Sequence, residues 1–89
     1  MKYVASIIDS HFATNRVSGL DVGGGIGSFA KSVIEKSDKE IQITIIDPSE
    51  ISTQHRKQAN NILYIQDDFT NWNSDEKFDF VIFLSLIHI

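Results

Sequence analysis

The sequence predicts an α/β domain built on a parallel sheet, and three observations carry that prediction. Short apolar strands alternate with helical segments in the order strand–helix–strand–helix–strand, the pattern of right-handed crossovers. Between the first strand and the next helix stand Gly23, Gly24, Gly25 and Gly27. Acidic residues close the first three strands: Asp21, Asp47 and the pair Asp67-Asp68. In open parallel sheets the carboxyl ends of the strands are where ligands bind.

The elements follow in order. Tyr3, Val4, Ile7, Ile8, His11 and Phe12 recur at helical spacing, which predicts an amphipathic helix over residues 3–14. Asn15-Arg16 leads into a short strand, Val17 to Val22. After the glycines, Phe29, Ala30, Val33 and Ile34 form one face of a helix running to about Ser37, and Ser37-Asp38-Lys39 breaks it. Ile41, Ile43, Ile45 and Ile46 make a β-branched strand ending on Asp47. Pro48-Ser49-Glu50 starts a polar helix reaching Ala59, with proline tolerated in the first turn. Ile62 to Ile65 is the third strand and Phe78 to Phe83 the fourth, which leaves Val81-Ile82-Phe83 as an open apolar edge. There is no internal repeat or linker, so residues 1–89 read as one domain or part of one.

Composition sets the outer limits. The chain is 42% hydrophobic and 22% charged, which suits a globular domain and argues against disorder. With 89 residues its core is small. It has no cysteine, so disulfides and thiolate metal sites are excluded. No apolar run reaches the ~20 residues of a membrane span, and no secretory signal is visible, so the cytoplasm is the default compartment. A net charge of -4 gives no electrostatic reason to expect nucleic acid as a partner of this segment.

The glycine turn is the most informative stretch, Leu20-Asp-Val-Gly-Gly-Gly-Ile-Gly27. Glycine tolerates positive φ and lets another group approach the backbone closely. A glycine turn before a helix N-terminus can therefore lay a nucleotide-like ligand against bare amides. Asp21 separates this turn from phosphate cradles, because a carboxylate repels a pyrophosphate and welcomes a cationic amino group. Asp47 lies 20 residues after Gly27, where an acidic residue accepts hydrogen bonds from ribose hydroxyls; a helix N-cap is the plainer role for it. Asp67 and Asp68 share the same edge, and a solvated turn is their plainer role.

The stretch resembles the first motif of class I S-adenosylmethionine-dependent methyltransferases, Asp/Glu-x-Gly-x-Gly-x-Gly, and Asp21, Gly23, Gly25 and Gly27 match its four defining positions. The resemblance covers the chain to about Phe83. It implies a Rossmann-like, mostly parallel seven-stranded sheet in the order 3-2-1-4-5-7-6, of which these strands are the truncated cofactor side, 3-2-1-4. It implies S-adenosyl-L-methionine as cofactor and methyl transfer to an acceptor that the sequence does not identify. The glycine loop (Gly23, Gly24, Gly25, Gly27) would then hold the cofactor, with Asp21 near the amino group of its methionine moiety. Asp47 would take the ribose and Pro48 would pack on the adenine. Aligning Asp67-Asp68 with the family's Gly-Asp pair makes Asp68 the acceptor for the adenine amino group, with Asp67 standing where glycine is usual.

Rival readings follow from the same residues. Gly25-Ile26-Gly27-Ser28-Phe29-Ala30 satisfies the Gly-x-Gly-x-x-Gly/Ala pattern of NAD(P) and FAD oxidoreductases, but Asp21 interrupts the strand and Asp68 has no role there. No Gly-Lys-Ser/Thr follows the glycines, which excludes a P-loop. Three scattered histidines offer no zinc spacing. His11 falls on an apolar helix face and His55 in a polar one. His88 matches in distance a histidine that, in some plant O-methyltransferases, acts as general base. Yet Leu84 to Ile89 is also the translation of CTG-TCT-CTT-ATA-CAC-ATC, which resembles a transposon adapter, so these residues read as a non-native tail and no catalytic residue is assigned. Tyr64, Phe69 and Trp72 read as core or loop-anchoring residues. The third alternative is a fragment without activity of its own.

Overall fold

The computed structural model describes residues 2–49, 61–70, 72, 75–83 and 86–88. Its elements are α1 (Lys2–His11), β1 (Arg16–Val22), α2 (Ser28–Lys36), β2 (Glu40–Asp47), β3 (Ile62–Gln66), β4 (Phe80–Phe83) and β5 (Leu86–His88). The sheet order is β3-β2-β1-β4-β5. The pairs β1–β2, β1–β4 and β2–β3 are parallel, so the predicted half-sheet 3-2-1-4 is present. The helix expected over 48–59 lies almost wholly outside the described residues; Pro48 and Ser49 are exposed.

The strands are parallel because each returns through a long connection, and β-branched residues fill their buried face. Val17, Ile41, Ile43, Ile45, Phe80 and Ile82 form that face and pack with Val4 and Ile8 of α1 and Ala30 and Val33 of α2. Gly19 lies opposite Phe80 in the ladder, and a Cβ at Gly19 would sit inside the Phe80 ring. The opposite face carries two cross-strand rows, Leu63–Thr44–Leu20–Val81 and Ile65–Ile46–Val22–Phe83. Leu63 is 59% exposed and Phe83 43% exposed there.

Three expectations need correction. The first helix ends at His11 rather than residue 14. Thr14 and Asn15 serve the sheet instead: the Asn15 carbonyl accepts from Glu40 N–H at 2.8 Å, and the Thr14 carbonyl accepts from Lys39 Nζ at 2.7 Å. The fourth strand starts at Phe80, not Phe78. Asp79 takes over the ladder with its side chain, accepting from Ser18 N–H at 2.8 Å, while Phe78 turns toward Trp72 with ring centroids 6.3 Å apart.

The edge of β4 is not open either. β5 covers it in antiparallel pairing, with Val81 opposite His88 and Phe83 opposite Leu86. Only two residues separate these strands, and a connection that short can join only antiparallel neighbours.

Candidate functional site

The glycine turn joins β1 to α2 at the carboxyl edge of the sheet. Gly23, Gly25 and Gly27 have φ of 74°, 60° and 91°, a region other residues enter only with strain. The alternate-glycine pattern in the sequence is thus a backbone requirement. Gly24 has no such φ and is needed for space. A Cβ there would stand 2.7 Å from Asp21 Oδ2 and 2.8 Å from Ile45 Cγ2. Inside the turn, Gly23 N–H donates to the Ile46 carbonyl at 2.8 Å and Gly27 N–H to the Gly24 carbonyl at 3.1 Å.

Asp21 is buried, at 4% exposure. It sits in the ladder between Ile45 of β2 and Ile82 of β4, both buried, and the glycine turn closes over it. Among the described residues its Oδ2 has no hydrogen-bond partner. Burial, seconded by the nearby Asp47 charge, pushes its pKa up to about 6. A buried carboxylate oxygen without a partner is costly, and a cationic donor arriving at this edge would relieve that cost.

Asp47 ends β2 and ties the turn down. Its Oδ2 accepts from Gly25 N–H at 2.9 Å and its Oδ1 from Ser49 N–H at 2.8 Å. Burial works against its charge, but the Ser49 and Gly25 hydrogen bonds outweigh it and hold the carboxyl below its usual range. Each carboxylate oxygen keeps a further acceptor position, so hydroxyls can still bind at the exposed side.

Asp67 and Asp68 follow β3 on the same edge. Asp67 N–H donates to the Asp47 carbonyl at 3.2 Å, which sets the two strand ends side by side. Asp67 Oδ1 accepts from Asp68 N–H at 2.7 Å. Asp68 Oδ1 accepts from Thr70 N–H and Oγ1 at 3.0 and 2.8 Å, and the Thr70 bonds lower its pKa. The structure therefore gathers Asp21, the glycines, Asp47, Asp67 and Asp68 along one edge.

Two apolar residues at that edge had no part in the sequence reading of the site. Ile26 and Phe69 are 36% and 44% exposed, next to the glycines and to Asp68. An apolar residue directly after the acidic pair was the available signal.

α2 begins at the glycines with Gly27 as N-cap. It has no side-chain cap bond and no acidic residue in its first turn. That bare, positive helix end favours an anionic group. The edge thus offers an anion site and, beside it, the buried Asp21 carboxylate.

A cavity of about 260 Å³ lies at the opposite end of the strands, lined by Arg16, Ser18, Glu40, Gln42 and Asp79. Its charges are mutually satisfied, with Arg16 Nε 2.9 Å from Glu40 Oε2 and Asp79 bonded to Ser18, so it makes a poor ligand site. Among the described residues no three acidic or histidine side chains gather as a metal site. No described helix is long and apolar enough to cross a membrane.

The profile of the methyltransferase domain family matches residues 20–89, from the end of β1 onward. The chain belongs to that family. Among solved structures it is similar to the plantazolicin methyltransferase BpumL in complex with a monoazolic desmethylPZN analogue and SAH. That likeness has 26% identity and a TM-score of 0.70, covering 90% of this chain and 32% of that one. The same enzyme in complex with SAH gives a TM-score of 0.69, 26% identity, and coverage of 90% and 32%. A protein from Thermoplasma acidophilum assigned as a methyltransferase shares the fold at 18% identity and a TM-score of 0.60, covering 73% of this chain and 31% of its own. The chain spans about a third of the length of these structures. No curated protein matches it closely enough to count as a relative.

Proposed function

We propose that this chain is the cofactor-binding part of an S-adenosyl-L-methionine-dependent methyltransferase. The observation that carries the reading is Asp21 Oδ2, buried and without a partner among the described residues, beside a glycine turn and an uncapped helix end. An ammonium at Asp21 and a carboxylate at the amides of α2 together make a receptor for an amino acid zwitterion, which is the methionine end of the cofactor. SAH in the BpumL structures supports the same ligand chemistry.

The residues divide the ligand between them. Gly23, Gly24, Gly25 and Gly27 bring the backbone close to it. Asp47 accepts from ribose hydroxyls with the acceptor positions left by Gly25 and Ser49. Asp68 accepts from the adenine amino group, and Ile26, Pro48 and Phe69 offer apolar surface to the ring. Asp67 shapes the turn.

The bound cofactor supplies an already activated methyl group on a sulfonium. The chain's own contribution is to hold and orient, which supplies effective molarity rather than acid–base chemistry. No general base is assigned, and the methyl acceptor is a proposal for the rest of the parent protein. On this reading the 89-residue chain binds cofactor and transfers no methyl group by itself.

A dinucleotide oxidoreductase is disfavoured by Asp21, whose buried carboxylate lies directly under the turn where a pyrophosphate would rest. Titration calorimetry with S-adenosylhomocysteine and, separately, NAD tests the choice. The expected result is saturable heat with S-adenosylhomocysteine and none with NAD at the same concentrations. Preference for NAD would move the chain to the oxidoreductases.

A further inference from the structure

Across the helix-facing side of the sheet, Ile82, Asp21, Ile45 and Tyr64 stand in one row, each opposite the next in the ladder. The glycine turn rests on that row. A Cβ on Gly24 would strike Asp21 and Ile45, and one on Gly27 would strike the Tyr64 hydroxyl and come within 3.3 Å of Ile45 Cδ1. Tyr64 is half-buried, and its hydroxyl donates to the Ile26 carbonyl at 2.9 Å.

That carbonyl lies in the peptide unit between Ile26 and Gly27, whose plane is set by ψ of Ile26 and by the positive φ of Gly27. Glycine on one side lets such a unit rotate with less steric resistance than two residues with side chains would allow. Two bonds fix this one from opposite sides, the Tyr64 hydroxyl on the carbonyl and the Gly24 carbonyl on the Gly27 N–H. Its orientation sets where the first amides of α2 point and where the exposed Ile26 side chain stands.

We propose that Tyr64 is a positioning residue for the cofactor loop: from the third strand it locks the Ile26–Gly27 peptide plane, and Gly27 is small so that the hydroxyl can reach. The proposal rests on the cofactor reading above, since it assigns to the loop the function of binding S-adenosylhomocysteine.

The test uses the 89-residue chain, with amide NMR spectra recorded alone and during titration with S-adenosylhomocysteine. Y64F is compared with I8V, a buried change in α1 that removes no hydrogen bond. Loss of the hydrogen bond to the Ile26 carbonyl should weaken affinity about fivefold in Y64F and leave I8V at the wild-type value. In the free protein, Y64F should shift the amides of residues 25–28 and few others. G27A should lose less affinity in a Y64F background than in wild type, because its Cβ no longer meets the hydroxyl.

Unchanged affinity and unchanged loop amides in Y64F would overturn the proposal, as would equal losses in Y64F and I8V. If wild type does not bind S-adenosylhomocysteine, the cofactor reading fails. The free-protein amide shifts then still decide whether Tyr64 positions the loop.

Discussion

At Asp21 the protonation state couples folding to binding. Its pKa of about 6 in the folded chain, against an ordinary 3.8, has burial as its main cause and Asp47 as its second. Between pH ~4 and ~6 the folded chain holds more protons than the unfolded one, so stability falls as pH rises through that window. Below it the carboxyl is neutral in both states and costs nothing. Above it the cost is present in full, on the order of 3 kcal/mol. D21N should therefore be more stable than wild type at pH 8, by up to that amount, with the advantage gone by pH 4. Urea denaturation at a series of pH values measures this. The same variant should bind S-adenosylhomocysteine less tightly, because the ligand's ammonium loses its counter-charge. Equal stability of the two proteins at pH 8 would show that Asp21 is not strained by burial.

Between elements, packing decides what the sequence left unread. Gly19 lies in the middle of β1 with no turn to explain it, and only the parallel register sets it against Phe80. G19A should force the buried Phe80 ring out of place and destabilise by roughly 1–3 kcal/mol or more. Chemical denaturation would register that loss, and a neutral G19A would mean the β1–β4 register is wrong.

The glycine turn, by contrast, was legible, because positive φ at alternate positions leaves its mark directly in residue type. So were the strand ends: Asp47 closes the β-branched run of β2, Asp67 directly follows β3, and Asp21 is the next-to-last residue of β1. The end of α1 and the start of β4 were not. Helical periodicity continued to Phe12 and hydrophobicity began at Phe78, but long-range bonds to Glu40, Lys39 and Ser18 claimed those residues. Tyr64 could be read as loop-anchoring, yet which loop it anchors depends on the β2–β3 register.

For the whole molecule, α1 and α2 cover one side of the sheet; on the other, Leu20, Thr44 and Ile46 are buried while Leu63 and Phe83 are exposed. The Cα radius of gyration, 12.3 Å, is near the ~12 Å of a compact chain of this length. The described elements therefore pack, even though the chain spans about a third of the structures it resembles. Among the described residues, Asp21, Asp47, Asp67, Asp68 and the glycine turn lie along one edge of the sheet.

The most direct test of the central claim is residue-resolved: a two-dimensional amide NMR titration of the 89-residue chain with S-adenosylhomocysteine, with NAD in parallel. Dispersed peaks should move only with S-adenosylhomocysteine, led by Gly23 to Gly27 and followed by Asp47 and Asp68. Movement only with NAD, or S-adenosylhomocysteine shifts that spare the glycine turn, would contradict it.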